Sequence, residues 1–170
     1  MLKIFNNLEP FFNDCYRRIN VREYARLKTL SPPSASHLLK ELRKEGLLLE
    51  EKERNYIYYV ADIKNSLFID LSRAYWSDVV RRIELVEYLE RELISPLVII
   101  FGSLNKAEAK RDSDLDIAIF TVSKKQINLS DFEKKIKRKI QVFAFKGIKD
   151  VKNKDLLNNI LNGHIISGGW

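Results

Sequence analysis

Two short apolar runs flank a polar loop in Leu97–Phe120 (LVIIFGSLNKAEAKRDSDLDIAIF), and no other stretch restricts the fold so tightly. The first run, Leu97–Phe101, ends in Gly102-Ser103. A cationic loop follows. Asp114 and Asp116, two residues apart, then open the second run. Side chains two apart on a strand share one face. Two carboxylates on one face can hold a hard divalent cation through oxygen ligands. The adjoining Gly-Ser turn can cradle a phosphate, because glycine lets the backbone approach without a side chain in the way. The pattern points to metal-assisted chemistry on a nucleoside triphosphate.

The 170 residues allow one domain or two small ones. Thirty Lys+Arg against 23 Asp+Glu give a net charge of +7. That excess suits a nucleic acid or nucleotide partner but says nothing about fold. It is spread evenly: residues 1–60 carry +3 and residues 61–170 carry +4. The single cysteine, Cys15, excludes an internal disulfide and reads as a small core residue. The N-terminal MLKIFNNLEPFF lacks a signal-peptide apolar region, and no apolar run approaches the ~20 residues a membrane span requires. A cytoplasmic protein without a membrane partner is expected.

Apolar spacing predicts helices over 4–19, Val21–Leu30 and Pro32–Lys44, the last closed by Gly46. Leu47–Leu49 and Tyr56–Val60 read as strands joined by a polar turn, Glu50–Asn55. Residues 66–93 contain no Gly or Pro and read as one long helix, apolar around much of its girth, so buried on two sides or in a dimer seam. Ser130-x-x-Glu133 has the spacing of a capping box for a helix through about Arg138. Ile140–Phe145 reads as a strand and Asp155–Asn162 as a last helix. The Lys134, Lys135, Lys137, Arg138, Lys139 run reads as a solvated helix face, with nucleic acid as the alternative. His164 is assigned no role.

The order helix, helix, turn, helix, hairpin, with PPSASHLLKELRKEGLLLEEKERNYIYYV, resembles winged helix-turn-helix proteins of the MarR- and ArsR-like kinds over about Val21–Val60. The resemblance implies that the third helix enters the major groove of double-stranded DNA. Its outward candidates are Ser34, Ser36, His37, Lys40, Arg43 and Lys44. Serine and histidine suit base edges; lysine and arginine suit phosphates. Glu50, Glu51 and Glu53 make the wing a poor phosphate neighbour, so an interaction or dimerisation module stays open as the other reading.

Gly102-Ser103, ten residues, then Asp114-Leu115-Asp116 resembles the signature of the DNA polymerase beta-like nucleotidyltransferase superfamily, in its minimal, MNT-type branch. Gly102, Ser103, Glu108, Ala109, Ser113, Asp114 and Asp116 match that branch. Lys106 and Lys110 stand where arginines are usual, and Ala107 where glycine is. The resemblance implies that Asp114 and Asp116 are catalytic and ligate Mg²⁺, as one ion or two. It also implies that Gly102, Ser103, Lys106, Lys110, Arg111 and Ser113 bind the phosphates of an NTP, with ATP the first candidate. An EF-hand loop from Asp112 is excluded, because Ile117 replaces the required glycine and Ser123 the final glutamate. Simply solvated aspartates are the remaining alternative.

One departure matters more. The family places a third carboxylate on a later strand; Gln141 stands there. An amide cannot act as a base, and losing a general base removes about 10²–10⁴-fold in rate. The chain is then a slow enzyme, one that recruits another base (Glu133 or Asp131), or a nucleotide-binding pseudoenzyme.

The expected architecture is α+β. A winged helix-turn-helix occupies 1–62, a long linker helix 63–95, and a nucleotidyltransferase domain with a mixed, mostly antiparallel sheet 96–170. The expected function is Mg²⁺-dependent transfer of a nucleoside monophosphate to an unknown acceptor, coupled to DNA binding. The alternative is a DNA-binding transcriptional regulator or antitoxin-like protein with an inactive or nucleotide-sensing rear domain. The family resemblance adds a small helical toxin-like partner, and the apolar 66–93 helix adds a homodimer.

Overall fold

The computed structural model describes residues 2–169 and divides into two compact units. The first comprises residues up to Ser72 together with Ala107–Arg111. The second comprises Arg73–Lys106 and the chain from Asp112.

In the first unit, α1 (Lys3–Asn13) leads to a two-residue strand, β1 (Ile19–Asn20). Then come α2 (Val21–Lys28), α3 (Pro32–Lys44) and the hairpin of β2 (Leu48–Glu53) and β3 (Tyr56–Ala61). The sheet is antiparallel, ordered β1-β3-β2. Asn20 and Ser31 cap α2 and α3 by accepting from the Glu23 and Ser34 N–H groups, and prolines fill the first turn of α3. Gly46, at φ +73°, ends α3, with the Leu47 N–H bonded back to the Leu42 carbonyl. Leu8, Phe11, Phe12, Tyr24, Leu39 and Tyr59 form a closed core. Within it the Tyr24 hydroxyl donates to the Asn7 carbonyl, and burial pushes its pKa up to about 12.

Two expectations fail here for local reasons. The first helix stops at Asn13 and does not reach 19. The Asn13 side chain donates to the Glu9 carbonyl and Asp14 accepts from the Tyr16 N–H, so short polar side chains capture backbone groups that would extend the helix. Cys15 is nevertheless buried. The hairpin turn is only Arg54-Asn55, so Glu50, Glu51 and Glu53 lie on β2 and not in a turn.

The long linker helix is also two helices. The helix α4 (Ser66–Arg82) begins in the first unit and ends in the second, and α5 (Leu85–Glu92) follows. The break falls at Glu84, which adopts a left-handed conformation (φ 65°) with no Gly or Pro to announce it. The wide apolar girth resolves into separate buried stripes, Trp76 and Val80 on α4, then Leu85, Val86 and Leu89 on α5.

The second unit is built on β4 (Leu97–Phe101), β5 (Leu115–Phe120), β6 (Ile140–Phe145) and β7 (His164–Ser167), ordered β6-β5-β4-β7. The β4 strand runs antiparallel to β5 and β7; β5 and β6 are parallel. A parallel pair needs a crossover, and α7 (Ser130–Ile136) lies in it. One face packs Leu97, Ile99, Phe101, Ala118 and Phe120 against Val151 and Ile160, the latter on α8 (Lys154–Leu161). The β7 strand has Gly163 before it and Gly168-Gly169 after it, but its four residues, HIIS, carry no period-2 alternation that marks a strand.

The predicted capping box does not form. Leu129 is the N-cap of α7 without a side-chain bond, and the Glu133 carboxylate reaches instead to the Ile140 N–H at 3.0 Å.

Candidate active site

The site grows from the last residue of β4 and the second residue of β5. Phe101 pairs with Asp116 across the antiparallel ladder, and the chain then turns at Gly102, φ +73°, into the short helix α6 (Gly102–Asn105). A Cβ added at Gly102 would lie 2.1 Å from Asp116 Oδ2. The carboxylate therefore rests directly on the glycine backbone, in space that any side chain would fill. The position requires glycine twice over, for contact and for its left-handed conformation.

Asp114 stands just before β5 and is exposed; Asp116 is half-buried. Burial pushes the Asp116 carboxyl above the usual carboxylate range, and the neighbouring Asp114 charge adds to the rise. Among the described residues, neither carboxylate accepts a hydrogen bond or pairs with a cation. Two adjacent acids, one partly desolvated and neither compensated, make a donor set suited to a hard divalent cation. No group of three or more His, Cys, Asp or Glu side chains able to hold a metal occurs among the described residues. Mg²⁺ commonly takes only one or two protein carboxylates and completes its shell with water and substrate phosphates. The residues present fit that ion with a bound polyphosphate.

The neighbour of Asp116 on the other side is Gln141, its partner in the parallel ladder. Directly opposed strand residues point to the same face, so an amide, not a third carboxylate, adjoins the acid pair. The two substitute bases are committed elsewhere. Glu133 accepts from the Ile140 N–H and from Lys139 (3.3 Å), and these bonds hold its carboxyl below the usual range. Asp131 pairs with Lys134 at 3.0 Å.

Ser103 lies in α6, half-buried, beside Gly102. Lys106 is exposed, but its ammonium is bound to the Asn159 side chain of α8 at 2.8 Å. Ser113 is tied through its carbonyl, which accepts from Arg138 at 2.6 Å. Lys110 and Arg111 belong to the first unit, where the Lys110 ammonium sits 5.8 Å from the Tyr16 ring and the Ala109 carbonyl accepts from the Cys15 N–H. Ala107, at the usual glycine position, is fully buried in a left-handed conformation, φ 55°.

Three residues that support these elements were not singled out in the sequence as site residues. Arg73 donates to the Asn105 carbonyl at 2.9 Å, and the buried Asn105 side chain donates to the Asn162 carbonyl at 3.0 Å, fastening the end of α6. Arg138 is buried, which removes it from the supposed solvated lysine face. No spacing rule identifies such residues, because their partners lie more than 20 positions away.

The α3 candidates divide in the first unit. Ser34 is engaged with the Ser31 cap, His37 lies 3.2 Å from Glu41, and Arg43 lies 3.6 Å from Glu50. Ser36 is half-buried; Lys40 and Lys44 are exposed, with no ion-pair partner among the described residues. On the hairpin, Arg18 pairs with both Glu51 (2.7 Å) and Glu53 (2.9 Å) and stacks on Tyr58. The hairpin acids are therefore largely neutralised within the unit.

No helix among the described residues is long and apolar enough to cross a membrane. No curated protein and no solved structure matches the chain. A sequence model of the family described as polymerase beta, nucleotidyltransferase matches residues 83–168, a span that includes both apolar runs, the Gly102 turn, the acid pair and Gln141. With that match covering half of its length, the chain belongs to the polymerase beta nucleotidyltransferase family.

Proposed function

We propose that this protein transfers a nucleoside monophosphate from an NTP, ATP first among them, to an acceptor, and that its first unit is a winged helix-turn-helix that binds double-stranded DNA. The observation that carries the first part is the Asp116 carboxylate lying on the Gly102 backbone with Asp114 beside it. Gly102 and Ser103 would receive phosphate oxygens, and Asp114 and Asp116 would hold Mg²⁺. A metal held there would supply charge neutralisation on the transferring phosphoryl group and alignment of attack and departure. The test is incubation with Mg²⁺ and each labelled NTP, reading pyrophosphate release and label transfer.

A second reading has its own observation. Gln141 adjoins Asp116, and both substitute bases are held elsewhere. That arrangement favours a regulator or antitoxin-like protein whose rear domain binds nucleotide without turnover. Gln141→Asp separates the two. If the missing base limits a real enzyme, the variant transfers label about 10²-fold faster than wild type, since general bases contribute 10²–10⁴-fold. An unchanged rate in a variant that still binds NTP supports the sensor.

The DNA reading draws support from the element order, the α2 and α3 caps, and the exposed Lys40 and Lys44, which have no ion-pair partner among the described residues. Lys40→Gln and Arg43→Gln are each expected to reduce the slope of log K against log salt by about one, measured by fluorescence anisotropy on duplex DNA. A slope near zero in wild type assigns the unit to protein interaction.

A further inference from the structure

The two acids have different anchors. Asp116 lies inside the ladder, paired with Phe101 on one side and Gln141 on the other. Asp114 lies outside it, exposed, in the segment where β5 has not yet begun. The residues on either side of it are hydrogen-bonded through their own backbone groups. The Leu115 N–H donates to the Lys139 carbonyl at 2.8 Å, and the Ser113 carbonyl accepts from Arg138 at 2.6 Å.

Arg138 is unusual for an arginine. It is only 9% exposed, and its guanidinium lies 5.2 Å from the ring centre of Trp76, itself 2% exposed on α4. Lys137 takes a left-handed conformation (φ 56°), and the Arg138 N–H then closes onto the Glu133 carbonyl. The planar guanidinium is therefore gripped by an aromatic face while it donates to the residue immediately before Asp114. Burying a guanidinium is costly, whereas a charge-assisted bond from a preorganised fork is short and directional. Lysine cannot reproduce both the stack and the fork.

We propose that Arg138, seated on Trp76, is the positioning residue for Asp114: it fixes the Ser113 carbonyl and so holds the exposed acid in register with Asp116. This rests on reading the acid pair as the metal-holding site. Loss of the clamp leaves Asp116 in its ladder and lets Asp114 wander, and misplacing a reacting group by an ångström costs about 10²-fold.

The test uses the full chain with Arg138→Met, which keeps length and apolar packing, together with Arg138→Lys and Trp76→Phe. Amide hydrogen exchange reads the clamp without any metal. At Leu115 it is expected to quicken by about tenfold or more in Arg138→Met, with Ile117 and Ile119 unchanged, because opening is local. Mn²⁺ binding in the presence of a non-hydrolysable ATP analogue, followed by electron paramagnetic resonance, is expected to weaken roughly tenfold, with Arg138→Lys intermediate. Unchanged exchange at Leu115, or unchanged Mn²⁺ affinity, overturns the assignment. Absence of Mn²⁺ binding by wild type overturns the metal reading alone, and the exchange result still decides on Arg138. Should Arg138→Met not fold, Arg138→Lys and Trp76→Phe give the same readouts.

Discussion

Asp116→Asn is expected to abolish nucleotidyl transfer and, at the same time, to raise thermal stability. The substitution preserves shape and removes charge. Transition-state charge stabilisation by a held metal is worth several kcal/mol, so the rate falls by about 10³-fold or more. Stability moves in the opposite direction for a reason visible in the wild-type fold. Burial, and then the Asp114 charge, raise the Asp116 carboxyl above its unfolded value. A group whose folded pKa is raised binds its proton more tightly in the native state, so stability is greatest below the unfolded pKa and declines as pH rises through the folded one. Above that window the ionised carboxylate is a standing cost, which asparagine removes. Melting curves from pH 3 to 8 without divalent metal check this: wild type loses more stability across the acidic range than Asp116→Asn, and the variant melts higher at pH 7. A variant that transfers label at the wild-type rate, with an unaltered pH profile, would show that this carboxylate is neither buried nor used as described.

Gly102→Ala is the second large effect. The new methyl carbon would lie 2.1 Å from Asp116 Oδ2 and 3.0 Å from Asp116 Cγ. The carboxylate must move, and alanine must also adopt φ +73°, which costs about 1–2 kcal/mol for a residue with a Cβ. The expected result is a fall in transfer of about 10²-fold or more, because the displaced group is the one that would hold the metal. Melting should fall by a few degrees, in line with about 1–2 kcal/mol in a chain of this size. Gly147→Ala is the matched control: nothing lies within 4 Å of a Cβ at Gly147, so neither activity nor melting should change. Equal behaviour of the two variants would remove the close approach as an explanation of the glycine.

The strands β4, β5 and β6 were legible because short apolar runs bounded by Gly, Asp and a cationic loop have few other uses. The helices α2 and α3 were legible because Asn20, Ser31, Pro32, Pro33 and Gly46 mark their ends chemically. The capping box at Ser130 and Glu133 had the right spacing, yet failed because the Ile140 N–H, seven residues from Glu133, offered its carboxylate a better donor. The break at Glu84 left no mark, since it answers to which apolar stripe meets which core and not to any local propensity. Arg138 read as one more surface cation in a lysine run until its guanidinium proved to be seated on Trp76.

Local chemistry alone therefore determined the strand–turn–acid motif and the ends of α2 and α3, because period-2 alternation and backbone preference act over a few residues, whereas Gln141 in the place of a third acid is what the family resemblance implies. Tertiary structure alone decided that Asp116 lies on Gly102, that Gln141 stands beside Asp116, that Glu133 is spent on the backbone, and that Arg138 is buried. Each of those depends on register or packing between residues well separated along the chain, and neither spacing nor composition carries that information.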